Sequence, residues 1–139
     1  MTYRDLNARA NRLARLLIAR GVGPEQLVAL LLPRTTDLVV SVLAVLKAGA
    51  GYLPIDPGYP DDRVAFILND ARPACAITAT DQDDAAGRPL LEALQPIVLG
   101  DHGTERLLAD QPDRNPDDTD RSMPLRPLNT AYVIYTSGS

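Results

Sequence analysis

The chemistry-bearing residues fall at a few points along the chain, and the most suggestive are the last four. A run of apolar and β-branched residues, Ala131 to Thr136 (AYVIYT), leads directly into Ser137-Gly138-Ser139. Small hydroxyls around a glycine leave backbone N–H groups free to converge on an anion, with the hydroxyls as further donors, so Thr136, Ser137, Gly138 and Ser139 form a candidate phosphate-binding segment. The same four residues also suit a plain solvent turn. Neither the GxxxxGK[ST] phosphate loop nor a GxGxxG following a strand is present.

Lys47 is the only lysine of the chain. It reads as a catalytic amine or, just before Gly49, as a cation set against the negative end of a helix. His102, in Asp101-His102-Gly103, is the single histidine and sits in a turn-like stretch with no one nucleophile to pair with. Cys75 lies in an apolar run and reads as a small core residue. Asp56 ends an apolar segment, where it can contact a ligand or fix the Pro57-Gly58 turn. Tyr52, Tyr59, Tyr132 and Tyr135 can line a crevice or simply pack.

Composition narrows the options. The 139 residues are 45% hydrophobic and 23% charged, enough chain to bury a core. A net charge of -4 argues against nucleic acid and anionic membrane as partners. One cysteine and one histidine give neither an internal disulfide nor a metal-ligand cluster, so no metal site is expected. Met1 is followed by Thr2 and Tyr3 with no signal-like or membrane-spanning apolar run, which fits a cytoplasmic, reducing location.

The elements that must position these residues can be read from periodicity. Thr2 and Asp5 stand in capping-box relation, and Leu6, Ala10, Leu13 and Leu17 form one apolar stripe, so a helix opens the chain. Gly21 is its natural C′ residue, and Gly23-Pro24 stops any continuation. Gln26 to Leu32 (QLVALLL) reads as a parallel strand buried on both faces. Thr36 caps a second helix, Asp37 to Ala48, apolar on nearly every side and therefore expected to be central and buried. Gly51 to Asp56 is a strand whose Pro54 demands an edge or a terminus. Pro60 in a first turn with Asp61 and Asp62, then Val64, Ile67, Leu68 and Ala71, predicts a third helix. Ala74 to Thr78 is the next strand.

The chain turns polar from Ala79 to Arg88. A short helix around Leu90, Leu91 and Leu94 and a strand from Pro96 to Leu99 follow. Residues 110–127, rich in Asp, Arg and Pro, predict an exposed linker. The alternation gives the fold class: α/β, a mostly parallel sheet flanked by helices.

Three separated segments together carry a resemblance. Met1 to Leu6 (MTYRDL), Leu46 to Asp56 (LKAGAGYLPID) and Asn129 to Ser139 (NTAYVIYTSGS) resemble, in order, the first three core motifs of the amino-acid adenylation domains of nonribosomal peptide synthetases. Pro57 to Pro73 is similar to the stretch after the second motif. The resemblance implies part of the N-terminal subdomain of an adenylate-forming enzyme. Such a ligase activates an amino acid as aminoacyl-AMP, using ATP and Mg2+, and loads it onto the phosphopantetheine of a peptidyl carrier protein domain on the same parent polypeptide. It places Thr136, Ser137, Gly138 and Ser139 on the ATP phosphates. It assigns no catalytic residue and no metal ligand to this chain, and it leaves Lys47, Gly49, Tyr52 and Asp56 structural.

Two departures stand out. Gly51 stands where the family usually has Ala. The phosphate motif usually continues with a sequence like TGxPKG, whereas the sequence ends at Ser139, so residues 1–139 are expected to be a partial domain truncated inside the phosphate loop and inactive alone. Two other readings remain open at this stage: a fragment of an aryl- or acyl-CoA ligase, and a flavodoxin-like binding module without catalysis.

Overall fold

A computed structural model describes residues 2–79 and 89–116. In chain order the elements are α1 (Tyr3–Ala19), β1 (Leu27–Leu30), α2 (Thr36–Lys47), β2 (Gly51–Pro54), α3 (Asp61–Ala71), β3 (Cys75–Ala79), α4 (Pro89–Ala93), β4 (Ile97–Leu99) and α5 (His102–Ala109).

Both ends of α1 are set by local chemistry. The Asp5 amide donates to Thr2 Oγ1 at 3.1 Å and the Thr2 amide to Asp5 Oδ2 at 3.4 Å, a reciprocal cap that satisfies two amides left over by the helix ladder. At the other end Gly21 takes φ +86°, and the amides of Gly21 and Val22 close onto the carbonyls of Ile18 (2.9 Å) and Leu17 (3.0 Å). This is a Schellman closure, repeated after α2 at Gly49. A Cβ at Gly21 would meet nothing within 4 Å, so Gly21→Ala tests conformation alone. It is expected to cost about 1 kcal/mol, read as a shifted urea midpoint with an unchanged slope.

The strands form one parallel sheet in the order β2-β1-β3-β4, with Val28 beside Tyr52 on one side and Cys75 on the other. Alternate residues divide between two cores, as the period of a strand requires. Val28, Leu30, Cys75, Ile77, Ile97 and Leu99 pack with Leu13 and Leu17 of α1 and Val40, Ala44 and Val45 of α2. On the opposite face Ala29, Leu31, Leu53, Ile55 and Ala76 pack with Val64, Ile67 and Leu68 of α3 and Leu91 of α4. A strand covered on both sides has no polar face, hence the unbroken run in β1. The result is the expected α/β fold, a parallel sheet between helical layers.

Several expectations are corrected in detail. Regular pairing in β1 is shorter than 26–32, although the Leu31 amide still donates to the Ile77 carbonyl at 3.0 Å. Thr35, not Thr36, is the N-cap of α2, and its hydroxyl donates to the Pro33 carbonyl at 3.4 Å instead of capping. Pro60 is likewise the N-cap of α3 and not its first helical residue. Pro54 satisfies both of its alternatives, since it ends β2 and β2 is an edge among the described strands.

The largest correction concerns α2, which is not buried all round. Val40, Ser41, Ala44 and Val45 face inward, whereas Val39 and Leu46 are 49% and 37% exposed. A single helix over a sheet can bury only one stripe, and apolar residues on its other face follow no such constraint. The Asp101-His102-Gly103 stretch, expected as a turn, instead opens α5. The Asp101 carboxylate caps it, accepting from the amides of Gly103 (3.1 Å) and Thr104 (3.3 Å).

Candidate functional site

The candidate phosphate segment Thr136, Ser137, Gly138 and Ser139, the strand expected at 131–136 and most of the polar stretch 79–88 lie outside the described residues. So do residues 117–127 of the expected linker.

The carboxyl ends of β1 and β2 frame an open cleft of about 330 Å3 lined by Leu32, Pro33, Arg34, Asp56, Pro57 and Tyr59, among others. Ligands of open parallel sheets bind at this edge, where connections leave the strands. Asp56 is occupied locally: its Oδ1 accepts from the Gly58 amide at 2.8 Å and its carbonyl from the Tyr59 amide at 3.0 Å. Of its two readings, turn fixing is the one the geometry supports. Asp56→Ala should therefore cost about 1 kcal/mol in a urea melt, the worth of one intramolecular hydrogen bond. Tyr59 packs against the α3-side core and carries the Arg63 guanidinium 5.7 Å from its ring centre. Tyr52 packs against the opposite core, and Tyr132 and Tyr135 are not described.

Lys47 ends α2, and its Nζ donates to Asn115 Oδ1 at 3.2 Å. Burial pushes the amine below the ordinary lysine range. It stands in the last turn of α2, where its charge complements the negative helix end. Cys75 is fully buried, and that burial raises its thiol pKa, away from the thiolate a nucleophile needs. His102 is exposed in the first turn of α5. Among the described residues, no group of three or more His, Cys, Asp or Glu could hold a metal ion.

One polar constellation escaped the sequence reading. Asn11 and Arg15, only 1% and 8% exposed, lie four apart on α1 beside its apolar stripe. Asn11 Nδ2 donates to the Asp113 carbonyl at 2.7 Å. Arg15 Nε and Nη2 donate to the carbonyls of Arg114 and Asn115, both at 3.1 Å. Asn7 Nδ2 adds a contact to Asn115 Oδ1 at 3.4 Å, and Pro116 beyond it is buried. Within the expected linker, residues 112–115 are exposed, but the carbonyls of Asp113, Arg114 and Asn115 are held to the helix.

Comparison with known proteins bears on the whole chain. The family described as AMP-binding enzyme matches residues 1–139. The chain is 56% identical over 140 residues to a "Dimodular nonribosomal peptide synthase" of Bacillus subtilis (strain 168), covering all of this chain and 6% of that protein. It is 52% identical over 140 residues to the "Probable non-canonical nonribosomal peptide synthetase (NRPS) CymA" of Salinispora arenicola (strain CNS-205), covering all of this chain and 2% of that one. It thus spans a small part of the length of the relatives it matches. Among solved structures, the nonribosomal peptide synthetase FmoA3 (S1046A) in its alpha-methyl-L-serine-AMP bound form superimposes with a TM-score of 0.79 at 29% identity, over 100% of this chain and 14% of that one.

Proposed function

We propose, from the premise that this chain belongs to the AMP-binding enzyme family, that it is the N-terminal part of an amino-acid adenylation domain of a nonribosomal peptide synthetase. The observation that carries the reading is the match of the family across residues 1–139, together with relatives above half identity that are named as such synthetases. The CoA-ligase and non-catalytic readings have no comparable support in identity.

In the proposed reaction an oxygen of the amino-acid carboxylate bonds to the α-phosphorus of ATP. The bond to the β-phosphate bridging oxygen breaks, leaving aminoacyl-AMP and pyrophosphate. The acyl group then passes to the phosphopantetheine thiol of a peptidyl carrier protein domain on the same polypeptide, and AMP departs. Negative charge builds on phosphate oxygens during the first step, so positioned donors matter most there. Thr136, Ser137, Gly138 and Ser139 would supply such donors to the ATP phosphates. Magnesium, when bound, offsets that charge; the described residues offer no set of ligands for it, and no step is assigned to them through it.

The described residues act as scaffold. The sheet between its two cores fixes the helices, and the chain alone is inactive. Among the described residues no helix is long and apolar enough to cross a membrane. A cytoplasmic setting, without nucleic acid or membrane as partner, completes the proposal.

The test is carrier loading in the longer protein that contains this chain. Incubation with ATP, magnesium and an amino-acid mixture should add one aminoacyl mass to the phosphopantetheine arm. Loading only from acids that lack an α-amino group would assign the parent to the acyl- or aryl-activating ligases instead.

A further inference from the structure

The described strands join the sheet with one handedness, and that handedness fixes where the chain can go after α5. From β1 to β2 the chain steps one way along the sheet with α2 on the α1 face. From β2 to β3 and from β3 to β4 it steps the other way, with α3 and α4 on the opposite face. Reversing both direction and face preserves the hand, so the three crossovers are alike, as expected where about 98% of parallel crossovers are right-handed. Helix α5 follows β4 and lies on the α1 face, where its Leu108 packs on the core of α1 and α2. The same hand then puts the next parallel strand on the β2 side of β4. There β3, β1 and β2 are already hydrogen-bonded neighbours, which leaves the place beyond β2.

The path of the chain agrees. After α5 it crosses α1, where Asn11 and Arg15 hold the carbonyls of Asp113, Arg114 and Asn115, and Asn115 Oδ1 meets Lys47 Nζ at the end of α2 at 3.2 Å. Gly51 opens β2 shortly after Lys47, so the chain arrives at the end of the sheet where a strand parallel to β2 begins. The amides of Gly51 and Ile55 donate to the carbonyls of Gln26 and Leu30, both at 2.9 Å, so the alternate residues Tyr52 and Pro54 turn their backbone groups away from β1. Pro54 has no amide to offer there, but its carbonyl can accept. The next apolar run, Ala131 to Thr136, has no charge and is apolar at both parities, the pattern of a parallel strand covered on both faces.

We propose that residues 131–136 add to the sheet as a further strand, parallel to β2 along its outer edge, and so join the phosphate segment to the cleft of β1 and β2 as one site. A strand in that place ends at the carboxyl edge of the sheet. It therefore sets Ser137, Gly138 and Ser139 beside the cleft that Arg34, Asp56 and Tyr59 line. The placement rests on topology and stands whether or not the ligase reading does.

The test is NMR on the isotope-labelled 139-residue chain without ATP. Nuclear Overhauser contacts should run from residues 131–136 to Tyr52 and Pro54, and from Ser137 or Gly138 to Pro57 or Tyr59. Val133→Pro with Ile134→Pro removes ladder donors of both parities. In that variant the contacts should vanish and the Tyr52 amide should exchange with solvent about tenfold faster or more, while the amides of the central strand β3 keep their protection. The contacts in the unsubstituted chain decide the question alone if the variant does not fold. Contacts from 131–136 to β4 instead, or to neither edge, overturn the proposal. So do contacts to β2 that appear only between labelled and unlabelled copies in a mixed sample, which would make the edge a docking place for a second chain.

Discussion

Gly138→Val in the longer protein carrying this chain is expected to lower amino-acid-dependent ATP–pyrophosphate exchange by about 100-fold or more. Backbone amides can close around a phosphate only where no Cβ stands between them, and glycine is the one residue of Thr136-Ser137-Gly138-Ser139 without it. A β-branched side chain there removes both the space and the conformational freedom. Loss of one positioned donor to a developing oxyanion typically costs two to three powers of ten in rate. Ser137→Ala, which removes a hydroxyl and leaves the amides in place, should have the smaller effect. If the two variants lose activity equally, or if Gly138→Val acts only through KM for the amino acid, the segment does not serve the phosphates.

The second large effect is on stability. Arg15→Met should lower the unfolding free energy by about 3 kcal/mol, measured by urea denaturation of the chain. Methionine keeps much of the apolar stem, so the packing of that stem changes little. What is lost is a pair of charge-assisted hydrogen bonds, each worth about 1.5–3 kcal/mol, and with them the carbonyls of Arg114 and Asn115 lose their donors. Total stability of such a domain is only about 5–15 kcal/mol, so the midpoint should fall markedly. Arg15→Lys should recover part of the loss at most, because one ammonium cannot reproduce the planar fork that reaches two successive carbonyls. A change below about 0.5 kcal/mol would mean that segment 113–115 is held by something other than α1.

The contrast between these two sites shows what a sequence exposes. Strand β1 was legible because burial on both faces leaves an unbroken apolar run between Pro24 and Pro33, and α1 because its stripe and its cap agree. Helix α5 was not. Gly103 weakens its propensity, and a short helix with Leu107 exposed has little stripe to display. Its signal was the capping residue Asp101. The all-round apolarity of α2 predicts burial, yet apolar composition alone does not say which residues face a neighbour.

Asn11 and Arg15 were the hardest to see. On a helical wheel they are ordinary flanking polar residues. Their partners lie 102 and 99 residues further along the chain, and no local pattern encodes a pairing at that separation. The proposed phosphate segment rests on the opposite kind of signal, four consecutive residues and the apolar run before them.

The central claim, that residues 1–139 are the N-terminal part of an amino-acid adenylation domain, is tested most directly by ATP–pyrophosphate exchange. The longer protein and the isolated chain are assayed side by side against single amino acids, butyrate and benzoate. The account predicts exchange by the longer protein with one or a few amino acids and none by the chain alone. Turnover by the isolated chain, or exchange driven by butyrate or benzoate in place of any amino acid, would contradict it.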